Sequence, residues 1–294
     1  MISSRVLEYM KSLYEILDTP NLHIPENERI LRKSRICDAA KEIETGDYFH
    51  CTDRFFQLAH EIESLHFLST FGEIHMSQDS QHEKGADFIL NGNLSIECVC
   101  ASLGTKLEKT GLSQYLVHNK VVDYNEKKRL LSARLTSSLH GKVQFYEERC
   151  GKSISKDYPY IIFLSLGRLS WEWFAEEYGM ALTDILFGRG KPSITINPFT
   201  GTIDASGYTH VFTFKKFNGV EINSNLFLDP SFSCVSGILL ATEVFSQYTT
   251  ENTFLFVNPF STLKLNPLVF PGIIYWDILS QDKYAPYKDG MVLL

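Results

Sequence analysis

The sequence predicts an α/β protein: a mixed sheet flanked by helices, with an N-terminal helical layer and additional C-terminal strands. Three observations carry this. Residues 1–72 run largely in helical periods. The stretch "GADFILNGNLSIECVC", residues 85–100, has a strand rhythm on both sides of an Asn-Gly turn. And "YIIFLSL", from Tyr160, is a continuous apolar run of the kind a strand covered on both faces requires.

In chain order, "SSRVLEYMKSLYEIL" and "NERILRKSRICDAAKEI" are helical, and the Pro/Asn segment "DTPNLHIPEN" separates them. A third helix follows in "DRFFQLAHEIESLHFLSTFG", where Phe55, Leu58, Ile62, Leu65 and Leu68 recur at three- and four-residue steps and Gly72 ends the run. Short strands come next, "EIHMS", "DFIL" and "LSIECVC", the last two joined by "NGN", a sequence suited to a tight hairpin. A polar segment over 102–125 leads into a long helix from Glu126 to Cys150, with Leu131, Leu135, Leu139 and Val143 as its core stripe. Arg134, Ser138, Lys142 and Tyr146 run four apart beside that stripe and so share a side of the helix. After "YIIFLSL", the segment "SWEWFAEEYGMALTDILFG" predicts an aromatic-rich helix. The remainder reads as short strands, "SITIN", "YTHVFTF", "SNLFL", "VSGILLATEVF" and "NTFLFVNP", before a Pro-rich tail, "LNPLVFPGIIYWD". With no internal repeat and no convincing linker, residues 1–50 form the helical layer of one continuous unit and residues 51–294 its α/β domain.

Composition narrows the class. At 294 residues and 44% hydrophobic content the chain can bury a sizeable core. Its apolar runs are too short to span a bilayer, and "MISSRVLEYMKSLYEIL" lacks a signal peptide's apolar block, so a soluble protein with no membrane partner is expected. Six cysteines fall without paired metal-binding spacing, and Cys98 and Cys100 sit in a buried strand, which predicts reduced thiols and a cytoplasmic setting. A net charge of -7 excludes a surface coated for unspecific nucleic-acid binding. From Gly104 to Val143, however, eight Lys or Arg stand against three acids, a candidate phosphate-facing edge.

The acids Asp87 and Glu97 flank the predicted turn. A charge inside "LSIECVC" costs several kcal/mol unless it is paired, hydrogen-bonded or metal-bound. A helix with an acid, a strand, an Asp, a hairpin, a strand carrying Glu, then a helix resembles the core of the PD-(D/E)XK nuclease superfamily, the restriction-endonuclease-like fold. The resemblance implies that Asp87 of "GADF" and Glu97 of "IECV" hold Mg²⁺, with Mn²⁺ as substitute, together with the backbone carbonyl of Cys98, and that Glu61 of "AHEI" is an auxiliary acid. Such an ion activates water and stabilises the charge on a phosphate under attack. The family's Lys two residues past the Glu is replaced by Val99. Three explanations stand: the cation has moved to another element, the metal alone activates water, or catalysis has been lost. "RLTSSLHGKVQFYEE" offers the replacement in Lys142, with Arg134 two turns earlier as a substrate-binding cation. The combination of "GADF", "IECV", "RLTSSL..K" and the late "FVNPFSTLKLNP" also resembles a sparsely characterised bacterial branch of these nuclease-like proteins.

Other constellations are weaker. His60, His66, His75 and His82 fit no zinc spacing. His60 and Glu61 read as partly exposed helix polar groups, and His75, on the strand before Asp87, is the one candidate site neighbour. No GxSxG elbow is present, "SCVSG" precedes a strand, and "GRGKPS" lacks phosphate-loop spacing and reads as a basic turn. Trp171 and Trp173 read as core or interface anchors rather than base-stacking platforms. The expected function is therefore a Mg²⁺-dependent phosphodiesterase acting on DNA or RNA, an endonuclease-like hydrolase compatible with a homodimer. The rival is an inactive nuclease-like module that binds a protein or nucleic acid, and a small phosphorylated substrate stays open beside both.

Overall fold

Three helices lead the chain: α1 (Ser4–Leu17), α2 (Glu26–Thr45) and α3 (Tyr48–Ser69). The computed structural model describes residues 4–22, 24–45, 48–76, 86–101, 124–149, 157–167, 182–210, 213–215, 219–242, 247–280, 283–288 and 291–292. The basic positions 106, 109 and 120, His82, Trp171 and Trp173 lie outside these, as does most of the aromatic-rich segment, of which residues 182–187 are helical. α3 begins five residues before the sequence predicts, so the boundary at 50/51 falls inside it. Its apolar stripe is as expected: Phe55, Ile62, Leu65 and Leu68 are buried and Leu58 is half-buried.

The sheet strands are β1 (Ile74–Met76), β2 (Phe88–Leu90), β3 (Leu94–Cys100), β4 (Tyr160–Ser165), β9 (Gly237–Ala241), β10 (Thr253–Val257), β11 (Ile274–Ser280), β12 (Lys283–Lys288) and β13 (Met291–Val292). Two separate hairpins, β5 (Arg189–Ile196) with β6 (Ile203–His210) and β7 (Thr213–Lys215) with β8 (Glu221–Asn223), come between β4 and β9. The main sheet runs β1-β2-β3-β4-β9-β10-β11-β12-β13. It is mixed. β3, β4 and β9 are parallel to one another, β10 is antiparallel to β9 and parallel to β11, and β1, β2 and β3 form an antiparallel meander. Every residue of β4 is buried, as "YIIFLSL" requires of a strand covered on both sides.

One face packs on α1–α3 through Phe88, Leu90, Ile96, Cys98, Ile161 and Phe163. The other packs on α4 (Tyr124–Arg149) through Val99, Ile162, Leu164 and Ile238, with Ala133, Leu135, Leu139 and Val143 of the helix buried against them. The side chain of Leu131 is outside the described residues. The hairpin forms where Asn-Gly predicts it. Asn91 at φ 52° and Gly92 at φ 68° supply the two positive values a type I′ turn needs, and the Asn93 N–H closes it on the Leu90 carbonyl at 3.2 Å.

Several expectations are corrected. "SNLFL" is no strand: Asn225 is left-handed (φ 63°), and two consecutive 3-10 turns, Leu226–Leu228 and Pro230–Cys234, follow, the second capped by the Asp229 carboxylate on Ser231 N. "GRGKPS" is not a turn, because β5 starts at Arg189. The Pro-rich tail contains β11, which completes a parallel pair with β10. In "FVNPFSTLKLNP", Asn258 is fully buried and its amide donates to the carbonyls of Phe232 and Val235, a structural clamp after β10.

Candidate functional site

β2 and β3 pair only over Phe88–Leu90 and Leu94–Ile96. Past Ile96, β3 keeps β4 on its inner side as far as Cys100, and among the described residues its outer edge is capped by side chains instead of a strand. The Asp87 carboxylate accepts the Cys98 N–H at 2.7 Å. The Gln57 amide, from α3, accepts the Cys100 N–H at 2.8 Å and donates to the Cys98 carbonyl at 3.4 Å. Buried main-chain groups must find partners, and here the site residues supply them.

Period-two alternation settles which way the acids face. Ile96 and Cys98 pack under α1–α3 and Val99 packs under α4, so Glu97 also lies on the α4 face. Continuing the hairpin register by one residue puts Asp87 across from Glu97 on that side. From α4, Lys142 Nζ reaches Glu97 Oε1 at 2.5 Å, with the two side chains 31% and 10% exposed. Lys142 thus enters on the same face as Val99, the position at which the resemblance expects the lysine. Glu61 comes from α3 and is held by Gln57 Nε2 at 3.0 Å and by Arg32 Nη1 at 3.4 Å.

These groups feel one another. Burial, then the charges of Glu97 and Glu61, push the Asp87 carboxyl up to about 8, against the opposing Cys98 N–H and Lys142. For Lys142, burial favours the neutral amine, yet the charge and hydrogen bond of Glu97 and the charge of Asp87 outweigh it and raise its pKa. Burial, followed by the charge of Asp87 at Cys98 and of Asp53 at Cys100, raises both thiols, so neither is a ready nucleophile.

Beside the acids opens a cleft of about 440 Å³ lined by Gln57, Val99, Cys100, Arg134, Ser137, Ser138, Gly141 and Lys142. Arg134 is therefore brought to the site. His75 is not: it is exposed, two strands from β3, and lies 3.2 Å from Glu73. Sequence reasoning missed Gln57, although its place one turn before Glu61 on α3 puts it on the same helical face. It also misplaced His60, which is 1% exposed rather than a surface group. That imidazole contacts Tyr248 Oη at 2.8 Å and the Phe163 carbonyl at 2.7 Å, and burial holds its pKa down at about 4. Next to it, Glu63 is pushed up to about 8 by burial, opposed by hydrogen bonds with Tyr9 and Tyr248.

Whether this chain fits a divalent ion rests on its donor set. Among the described residues no group of three or more His, Cys, Asp or Glu side chains is arranged to hold one. Two crowded carboxylates on one face remain, and Mg²⁺ is commonly bound through one or two carboxylates, with waters and substrate phosphate completing its shell. Burial, and then the charges of Glu97 and Glu61, disfavour the ionised form of Asp87, and a cation bound beside it would favour that form. Asp87 and Glu97 therefore fit the ion, and the Cys98 carbonyl, whose contact among the described residues is with Gln57 at 3.4 Å, would add a third oxygen. No known protein family, curated protein or solved structure matches the chain. No helix among the described residues is long and apolar enough to cross a membrane.

Proposed function

We infer that the chain is a metal-dependent phosphodiesterase acting on nucleic acid from a restriction-endonuclease-like core. The observation that carries this is the meeting of Asp87, Glu97 and Lys142 on one face of the sheet at the end of a cleft. Asp87 and Glu97 would hold Mg²⁺ or Mn²⁺, with the Cys98 carbonyl beside them. When bound, the ion supplies Lewis acidity toward a phosphoryl oxygen and the attacking water.

The chain's own residues do the rest. Lys142, held as an ammonium by Glu97, offers positive charge where a phosphate under attack gains negative charge. Gln57 fixes the Cys98–Cys100 backbone so that Glu97 keeps its direction. Val99, 4% exposed, closes the floor of the cleft to water. Glu61 adds negative charge from the α3 side and has Arg32 as counter-ion. The thiols of Cys98, buried, and Cys100, half-buried, along β3 support a reducing, cytoplasmic setting.

A second reading has its own support. Glu97 already has Lys142 as partner and Glu61 has Arg32, an arrangement that is also stable without a metal and suits an inactive nuclease-like module. Titrating Mg²⁺ and Mn²⁺ with labelled DNA and RNA, beside Asp87→Asn, separates the two. The Asn side-chain oxygen can still accept the Cys98 N–H while the charge is gone. Cleavage lost in that variant supports the enzyme; absence of both metal binding and cleavage in the unaltered protein supports the module.

A further inference from the structure

α4 presents more to the cleft than Lys142. Toward the helix N-terminus the residues that meet the cleft are Gly141, Ser138, Ser137 and Arg134. They stand one, four, five and eight residues before Lys142, so they share one side of the helix. The wall is low there: a Cβ on Gly141 would meet nothing within 4 Å, and two serines follow. Opposite lie Val99 and Cys100 of β3 and Gln57 of α3. A trough two helical turns long results, with hydroxyls and a guanidinium along one wall and no acid among its described lining residues.

One group in this trough is unexplained by the fold. Ser137 Oγ is closed off from solvent and has no hydrogen-bond partner among the described residues. Hydroxyls inside helices ordinarily turn back onto a carbonyl of the preceding turn. Thr136, its neighbour, does so, donating to the Ser132 carbonyl at 2.7 Å. A buried polar atom without a partner calls for a ligand or another cause.

We propose that Arg134, Ser137 and Ser138 form a second phosphate subsite, which grips a non-scissile phosphate of a polynucleotide strand whose scissile phosphate lies at Lys142. The identity of the first phosphate rests on the function inferred above; the grip on the second does not depend on catalysis. A guanidinium fork flanked by hydroxyl donors matches the several acceptor oxygens of a phosphodiester. One phosphate cannot serve both cations. Eight residues at 1.5 Å each separate them by about 12 Å along the helix, and long helical side chains lean in a common direction, so their heads stay apart. The strand therefore runs along α4, from the acids past Lys142 to Arg134. A mononucleotide or other small phosphorylated molecule leaves the Arg134 end unfilled, which selects a polynucleotide as substrate class.

The test is binding, read separately from cleavage. Fluorescence anisotropy of labelled single-stranded DNA and RNA of about fifteen nucleotides is followed in EDTA from about 50 to 300 mM salt, where each phosphate contact contributes about 0.7 to the slope of log K against log salt. Arg134→Ala is expected to weaken binding roughly tenfold at the low-salt end and to flatten the slope by about that one contact. Arg134→Lys keeps the slope while losing part of the affinity, which a merely structural role would not produce. Ser137→Ala weakens binding about twofold to threefold; at a hydroxyl with no partner in the fold it carries the test if Arg134→Ala fails to fold. The proposal is overturned if the unaltered protein binds neither oligonucleotide, or if these variants leave affinity and slope unchanged. Arg134-dependent binding without cleavage in Mg²⁺ or Mn²⁺ keeps the subsite and removes the catalytic reading. Cleavage with Arg134-independent binding does the reverse.

Discussion

Replacing Lys142 by methionine removes the ammonium and keeps most of the length and apolar stem of the side chain. Two quantities should fall, for different reasons. Stability falls because Glu97, 10% exposed, loses the partner 2.5 Å away. Breaking a fully buried pair costs about 3–5 kcal/mol and an exposed one about 0–1 kcal/mol. With Lys142 itself 31% exposed, the value here is about 2 kcal/mol. At roughly 2–4 °C per kcal/mol for a protein of this order of size, the melting temperature drops by about 4–8 °C. Activity falls further, because removing one group aimed at developing negative charge costs about 10²–10³ in rate. The assay is cleavage of labelled oligonucleotide in Mg²⁺ or Mn²⁺ at a temperature well below the variant's melting point, beside melting followed by circular dichroism. Lys142→Arg, which retains the charge, should recover most of the stability and part of the rate. If Lys142→Met melts as expected but cleaves within about threefold of the unaltered protein, Lys142 is only a counter-ion to Glu97 and the role given to it is wrong.

Since Val99 and Glu97 share a face, returning the cation to the strand in Val99→Lys with Lys142→Met should restore part of the lost rate; a double variant no faster than Lys142→Met alone counts against equivalence of the two positions. Gln57→Leu leaves the Cys98 carbonyl and Cys100 N–H without their partner, at about 1–3 kcal/mol per buried group, and should show in denaturation midpoints and in faster amide exchange at Cys100. Stability should change with pH in two opposed ways. His60, held near 4 against an ordinary 6.5, is charged only in the unfolded chain between those values, so its contribution rises with pH across that window. Glu63, held near 8 against an ordinary 4.5, keeps its proton in the fold alone between those values, so its contribution falls with rising pH and levels off above about 8. Asp87, also held near 8, acts in the same sense, so Glu63→Gln should remove part of the decline between about pH 6.5 and 8 in urea midpoints, and a decline left unchanged would assign it to Asp87 alone.

Much of the site was legible because it depends on parity. Once Asn91-Gly92 fixes the hairpin, Asp87 and Glu97 must lie on the same face, and the four-residue spacing of Arg134, Ser138 and Lys142 places them on one side of α4. Gln57 escaped because its partners are backbone groups of a strand some forty residues later, on the stretch of β3 beyond the pairing with β2. His60 escaped for a similar reason. A polar residue one position before an acid reads as surface, and only the arrival of Tyr248, 188 residues on, and of the Phe163 carbonyl makes its burial tolerable. "SNLFL" carries a strand's composition, but the left-handed Asn225 and the following Asp229-Pro230 cap redirect it into tight turns.

The side-chain caps on the outer edge of β3 have a consequence for how the protein keeps to itself. A bare strand end is a template on which a second molecule can add its own strand, and natural sheets guard such ends. Here the guards are Asp87 and Gln57. A substitution that takes away their acceptor atoms also uncovers a sticky border, so sequence drift at Asp87 would be checked by self-association even in a lineage that no longer had any use for the chemistry.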